Sequence, residues 1–360
     1  MIYRALGLMS GSSLDGLDMA FVEFHEAGGK WTFELKQADC LPYSKEWEEK
    51  LAHATKLNAG EYLLLHTEYG RYIASQVKHF IEKYELDYQV QLIASHGHTT
   101  FHFPEKNTTG QLGDGASIAA LTGIATVTDL RAVDMALGGQ GAPIVPIGER
   151  LLWPGYPILL NLGGIANVSI QSNDKHVAFD ICPANKVLNL LIQETGKAYD
   201  DGGSLAAQGT VNEPLLSALN ALDYYSKPYP KSLANDFGIE IVYPLVKNAG
   251  LTLPDALATY VEHIAVQLKQ ALLSFKSEEP ISMLITGGGA HHRYMGSRIN
   301  YHLASLNITA EIPDASIINY KEAIVMALMG VLRWREEVNV YSAVTGAERN
   351  SVGGALWITT

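Results

Sequence analysis

Short apolar runs that end in polar glycine turns recur three times along the chain. Residues 3–9 and 17–24 each read as a buried strand, and the stretch SGSSLDG between them has the Gly and Ser content of a tight turn. Residues 157–170, PILLNLGGIANVSI, repeat that layout, with Asn161, Leu162, Gly163 and Gly164 as the turn. A third run, ISMLIT at 281–286, leads into Gly287, Gly288 and Gly289 and then into a segment able to open a helix. Between these units the apolar spacing becomes helical. Tyr69, Ile73, Val77, Phe80 and Ile81 predict a helix over 61–84, and Leu257, Val261, Ile264, Leu268, Leu272 and Phe275 predict one over 254–275. Ile324, Leu328, Val331 and Trp334 predict a third over 320–337, with Glu322 in its first turn, where negative charge suits the helix dipole.

One strand–turn–strand layout used twice, in a chain of 360 residues, predicts an α/β protein of two lobes, each with its own core. The Gly and Pro density of 128–146, TDLRAVDMALGGQGAPIVP, marks the expected crossing. We therefore expect lobe I over 1–130, rejoined by 338–360, and lobe II over 131–337.

Composition narrows the function. A net charge of −12 argues against a nucleic-acid binder, which needs clustered Lys and Arg. The apolar start is broken after Met9, too early for a signal peptide, and no later run of 18 apolar residues is expected to span a bilayer, so a cytoplasmic location is the expectation. Cys40 and Cys182 are too few for a disulfide framework and lack a CxxC partner.

Glycine turns at strand ends present successive main-chain N–H groups, which form anion-binding nests. Three such turns suggest a nucleotide, although each alone is also an ordinary tight turn. The chain has no GxxxxGK[ST] loop, no GxGxxG between strand and helix, and no protein-kinase catalytic loop. Asp15, beside Ser12 and Ser13, offers oxygen ligands suited to Mg²⁺ or, alternatively, caps the turn. Asp180, at the end of an apolar run before a Pro–Asn turn, is either a general base or a helix N-cap. His96, His98 and His102 in SHGHTTFH invite a zinc reading, but no Cys or carboxylate cluster completes a closed site, so hydrogen bonding to a polar ligand is expected instead. His291 and His292 adjoin the triple glycine and are expected to be exposed or near a base, and Cys182 is expected to be a buried filler.

Taken in order, GLMSGSSLDGLD, SHGHTTFH, QLGDGASIA, ALGGQGAPIVP, NLGGIANVS, FDICPANKVLN, YPKSLAND, ITGGGAHH, KEAIVMALMG and AVTGA resemble the motif series of anhydro-N-acetylmuramic acid kinases over almost the whole chain. The resemblance implies the two-lobed actin-like ATPase fold, ribonuclease H-like, with duplicated mixed sheets flanked by helices and an interlobe cleft. It implies ATP and Mg²⁺, a small sugar substrate, no nucleic acid or membrane partner, and the hydrolytic opening of 1,6-anhydro-N-acetylmuramate with phosphorylation of O6. Homodimers are a common assembly for such enzymes. By position, Gly11, Ser12, Ser13 and Asp15 fall in the first phosphate turn, Asn161, Gly163 and Gly164 in the second, and Gly287, Gly288 and Gly289 in the adenosine segment. Asp180 takes the catalytic-base position, with Arg131, Glu322, His98 and Asp114 as sugar contacts.

The chain departs from the commonest pattern of that family. It reads Asp180-Ile181-Cys182-Pro183-Ala184-Asn185 and then Asn189 in place of DTGPGN with a following acid, HGHT in place of HGQT, and GSSLDG in place of GTSLDG. Cys182 and Ala184 remove backbone freedom that glycine would allow, which bears on the substrate. The competing readings are a related kinase acting on another sugar or carboxylate, and a nucleotide-binding regulator without catalysis.

Overall fold

The computed structural model describes residues 1–11, 13–171, 176–229, 231–233, 236–275 and 278–359. In chain order the strands are β1 (Ile2–Ser10), β2 (Gly16–Ala27), β3 (Lys30–Pro42), β4 (Leu92–Phe103), β5 (Thr108–Leu112), β6 (Thr126–Thr128), β7 (Ile158–Leu162), β8 (Ile165–Gln171), β9 (His176–Pro183), β10 (Ile281–Thr286), β11 (Ile308–Glu311) and β12 (Ala355–Trp357). They form two mixed sheets. One follows the order β12-β6-β4-β1-β2-β3, with β5 paired to β4, and the other follows β11-β10-β7-β8-β9.

The two sheets share one plan. In each, a three-stranded antiparallel meander, β1-β2-β3 or β7-β8-β9, is extended beside its first strand by a parallel strand, β4 or β10. A further parallel strand follows, β6 or β11. That duplication is the one the repeated strand–turn–strand layout predicts, and the fold is the expected α/β arrangement of two helix-flanked mixed sheets.

The chain divides into two compact units, Met1–Pro154 with Tyr320–Thr360, and Gly155–Asn319. The expected boundaries at 130/131 and 337/338 do not match this division. The glycine-dense stretch 128–146 belongs inside the first unit, where it wraps around a buried carboxylate. Asp134 accepts the Gly141 N–H at 2.8 Å and the Thr345 hydroxyl at 2.6 Å, and a Cβ on Gly139 would overlap its carboxylate. Gly139 is needed because the backbone there passes close to Asp134, and Gly141, at φ +63°, because a Cβ would meet Met135, so these glycines mark close packing within one unit and not a linker.

In the first unit, β1 is buried on both faces, with Ala5, Leu6 and Leu8 fully enclosed, which is why it reads as an unbroken apolar run. The helix Ala59–Lys83 carries Tyr69, Ile73, Val77 and Phe80 into the same core as Leu6, Leu8 and Phe21, and a capping box of Asn58 and Glu61 closes its start. The helix Ala315–Trp334 approaches closely enough that a Cβ on Gly7 would collide with the Ala323 carbonyl. Lys321 on this helix pairs with Glu149 at 2.9 Å, both buried. The helix begins at Ala315, so Glu322 lies about two turns in, not in the first turn. It is also long and apolar enough to cross a bilayer, contrary to expectation, yet 67% of its most apolar stretch is buried in protein, as in a core helix.

In the second unit, the helix Leu253–Leu272 buries Leu257, Tyr260, Val261, Ile264 and Leu268 against β7, β8 and β10 residues such as Leu160, Val168 and Ile285. Its predicted C-terminal extension is a separate 3₁₀ turn, Leu273–Phe275.

Candidate active site

The second unit builds a polar row across its sheet. Thr286 on β10 lies opposite Asn161 on β7, Asn161 opposite Asn167 on β8, and Asn167 opposite Asp180 on β9. Directly paired residues on neighbouring strands project to the same face, so the registers alone align these four side chains. A bulge at Ala166/Asn167 sets the last pairing. Asn167 was not singled out from the sequence. Its signal, a polar residue alternating with buried Ala166 and Val168, is shared by any half-buried strand.

Asp180 is not a helix cap. The following helix, Asn185–Ile192, starts at Ala184 without a side-chain cap. The Asp180 carboxylate accepts the Leu233 N–H at 2.8 Å, its main-chain N–H donates to the Lys231 carbonyl at 3.1 Å, and its carbonyl accepts the Tyr224 hydroxyl at 2.8 Å. Burial raises its pKa above the ordinary aspartate value, and the Leu233 N–H offsets part of that rise. The arrangement is a half-buried carboxylate held in place by one amide, with proton affinity increased by desolvation.

The Gly163–Gly164 turn is braced from behind. Its carbonyls accept N–H groups of Ala184 (2.8 Å), Asn185 (3.1 Å) and Lys186 (3.3 Å), while its own N–H groups have no partner among the described residues. Asn185 also donates its side-chain amide to the Leu162 carbonyl at 2.8 Å. The triple glycine packs against the same turn. Gly287 sits at φ +80°, and a Cβ there would lie 2.5 Å from Asn161 Oδ1; one on Gly289 would lie 2.6 Å from Leu162 Cβ. Gly288 opens a 3₁₀ turn, Gly288–His291, and the N–H groups of Gly288 and Gly289 are likewise without partners among the described residues. Two sets of free main-chain donors therefore converge around Asn161, which is anion-binding chemistry.

His292 is not exposed but buried, and its Nδ1 accepts the Met295 N–H at 3.1 Å to cap the helix Arg293–Leu303, while His291 is exposed and bonds Asn319. Cys182 and Ala184 are fully enclosed in the hydrophobic core, so these departures from glycine fill core volume. Burial raises the Cys182 thiol pKa and keeps it protonated.

In the first unit, Gly11, Ser13 and Asp15 form the turn after β1, with the Ser13 hydroxyl donating to Asp15 at 2.6 Å; Ser12 lies outside the described residues. Asp18, which the sequence reading passed over, stands behind this turn. Its pKa is raised to about 6, first by burial and then by the negative charges of Asp15 and Glu322, against a lowering hydrogen bond from the Cys40 thiol. Asp15, Asp18 and Glu322 thus share one electrostatic neighbourhood. Among the described residues no group of three or more His, Cys, Asp or Glu is placed to hold a metal. The donors at this turn fit a cation bound mainly through phosphate oxygens and water, with Asp15 as one exposed carboxylate, and do not form an all-protein cage.

Arg131 donates Nε–H to His96 Nε2 at 2.8 Å and Nη1–H to the Gly141 carbonyl. Burial lowers the Arg131 pKa to about 10, while the charges of Glu322 and Asp134 favour its protonated form. Burial and the Arg131 charge lower the His96 pKa to about 3, so His96 is neutral and donates from Nδ1 to the Gly97 carbonyl. Asp114 is committed to capping the helix Gly115–Thr122, where it accepts the Ser117 N–H at 3.1 Å and the Ala116 N–H at 3.3 Å. His98 bonds Ser10 at 3.0 Å.

The family model described as anhydro-N-acetylmuramic acid kinase matches residues 3–359. The anhydro-N-acetylmuramic acid kinase of Aliivibrio fischeri is 32% identical over 98% of this chain and 99% of its own length, and that of Gloeobacter violaceus is 35% identical over 96% of each. Among solved structures, component A of the (R)-2-hydroxyglutaryl-CoA dehydratase of Acidaminococcus fermentans is 13% identical, covers 91% of this chain and 97% of that one, and has a TM-score of 0.49. The family match spans both sheets and both sets of glycine turns, and the chain belongs to the anhydro-N-acetylmuramic acid kinase family.

Proposed function

We propose that this chain phosphorylates 1,6-anhydro-N-acetylmuramate with ATP, giving N-acetylmuramate 6-phosphate and ADP, in the recycling of cell-wall sugar. Water adds to C1, and Asp180 takes its proton. The C1–O6 bond breaks, and the freed O6 attacks the γ-phosphorus in line as ADP leaves. The observation that supports this most directly is the Asp180 carboxylate: desolvation strengthens it as a base, and one amide N–H leaves its other oxygen able to take a proton.

The free N–H groups of Gly163, Gly164, Gly288 and Gly289, with Asn161 and Gly287, are the proposed nucleotide contacts of the second unit, and Gly11, Ser12 and Ser13 are those of the first. Arg131 and Glu322 are the proposed sugar contacts; a guanidinium grips a lactyl carboxylate in a bidentate pair. Asp114 is a weaker contact, since its carboxylate already caps a helix. Mg²⁺ held by the phosphates and Asp15 would offset phosphate charge. A cytoplasmic location and a homodimer complete the proposal.

The test is incubation with ATP, Mg²⁺ and either the anhydro sugar or N-acetylmuramate in ¹⁸O-water, following sugar phosphate by mass. The expected result is product from the anhydro sugar with one solvent oxygen at C1, and a fall in kcat of about 10²–10⁴ for Asp180→Asn. Phosphorylation of an ordinary hexose alone, or product without solvent oxygen, would overturn the proposal.

A further inference from the structure

A chain of buried hydroxyls runs from the core of the first unit to His98. The Tyr69 and Tyr43 hydroxyls are 2.5 Å apart, the Tyr43 hydroxyl donates to Ser10 Oγ at 2.8 Å, and Ser10 Oγ lies 3.0 Å from His98 Nδ1. All four residues are buried, Tyr69 completely.

A backbone irregularity aims His98 at this chain. Along β1 and β4, Leu8 pairs with Ser95, but the register then slips so that Ser10 faces His98. Gly97 supplies the slip: it sits at φ +71°, and a Cβ there would overlap the Leu112 carbonyl, so a glycine is required.

Each hydroxyl has one proton to give, which leaves two self-consistent orders. In the first, Tyr69 donates to Tyr43, Tyr43 to Ser10, and Ser10 to His98 Nδ1, so the imidazole carries its proton on Nε2. In the reverse order, His98 donates from Nδ1 to Ser10, Ser10 to Tyr43, and Tyr43 to Tyr69. The Tyr43–Ser10 bond is oriented with Tyr43 as its donor, so the reverse order, which needs Ser10 to donate to Tyr43, does not fit the geometry.

We infer that Tyr69, Tyr43 and Ser10 are positioning residues that form a one-way donor relay, fixing His98 as the Nε2–H tautomer and offering the sugar substrate a single donor for an uncharged oxygen. Nε2 itself has no partner among the described residues and is not sealed from solvent. Burial lowers the pKa of the ring, in keeping with a neutral imidazole. The relay ends one residue before the turn that carries Ser13 and Asp15, at the junction of β1 and β4. The sugar end of this inference rests on the proposed function; the tautomer does not.

The tautomer can be read directly from two-bond ¹⁵N–¹H spectra of the full-length protein at pH 7.5. H98Q identifies the His98 signals among the twelve histidines. An Nε2–H pattern is expected, and an Nδ1–H pattern or an imidazolium would overturn the inference whatever the variants do. Ser10→Ala is expected to mix the tautomers and to raise KM for 1,6-anhydro-N-acetylmuramate about tenfold, with KM for ATP unchanged. In an H98Q background Ser10→Ala should add nothing further. A Ser10→Ala protein with an unaltered tautomer, or with a rise in KM for ATP alone, would sink the relay. If the anhydro sugar does not bind while His98 keeps Nε2–H and still responds to Ser10→Ala, the relay stands and the substrate reading fails.

Discussion

Replacing Asp18 by Asn tests whether burial, aided by the charges of Asp15 and Glu322, makes the ionised carboxylate behind the first turn costly in the folded state. Asp18 has its pKa raised from 3.8 to about 6 by burial and by the charges of Asp15 and Glu322. A carboxylate raised in the folded state binds its proton more tightly there than in the unfolded chain. Its contribution to stability is therefore fully present below pH 3.8 and is lost as pH rises through about 6. At 1.36 kcal/mol per pH unit the lost stability is about 3 kcal/mol, and solvent screening of a half-buried group reduces this to roughly 1.5 kcal/mol. Asn keeps an oxygen for the Cys40 thiol but carries no charge. Asp18→Asn should thus raise Tm by roughly 3–6 °C at pH 7.5 and by almost nothing near pH 4. Differential scanning calorimetry of both proteins across that range measures the difference, and titrations common to both cancel. Parallel Tm curves for the two proteins, or a variant less stable at pH 7.5 than at pH 4 relative to wild type, would refute the reasoning.

Other substitutions probe single contacts. Lys321→Met leaves Glu149 buried without its counter-charge and should cost about 3–5 kcal/mol in urea denaturation, most of it recovered by adding Glu149→Leu. Gly287→Ala forces a side chain into φ +80° and against Asn161 Oδ1; a loss of about 1–3 kcal/mol in thermal stability and weaker ATP binding by calorimetry are expected. Arg131→Lys cannot reproduce both the Nε–H bond to His96 and the Nη1–H bond to Gly141, so KM for the sugar should rise about tenfold or more in steady-state kinetics while KM for ATP holds.

The strands and turns were legible because their signals are local. A run such as ISMLIT can be read without knowing its neighbours, and β10 spans those same six residues. The triple glycine and Asp180 were legible for the same reason, since each sits where an apolar run stops. Asn167 and Asp18 were not. Each matters through its cross-strand partners, Asp180 for one and Cys40 for the other, and pairing across a sheet leaves no mark on the spacing within a strand. The crossing at 128–146 misled because glycine marks close approach as readily as it marks a linker, and only the position of Asp134 separates the two.

The sequence by itself determined the α/β class, the doubled strand–turn–strand plan and the positions of the glycine turns, because periodicity and turn chemistry act over a few residues. Tertiary structure alone decided which carboxylates share a neighbourhood, which way the His98 imidazole carries its proton, and where one unit ends and the other begins. Those depend on burial and on registers between residues far apart in the chain. Desolvation and hydrogen-bond direction are set by what surrounds a group in space, not by what adjoins it in sequence.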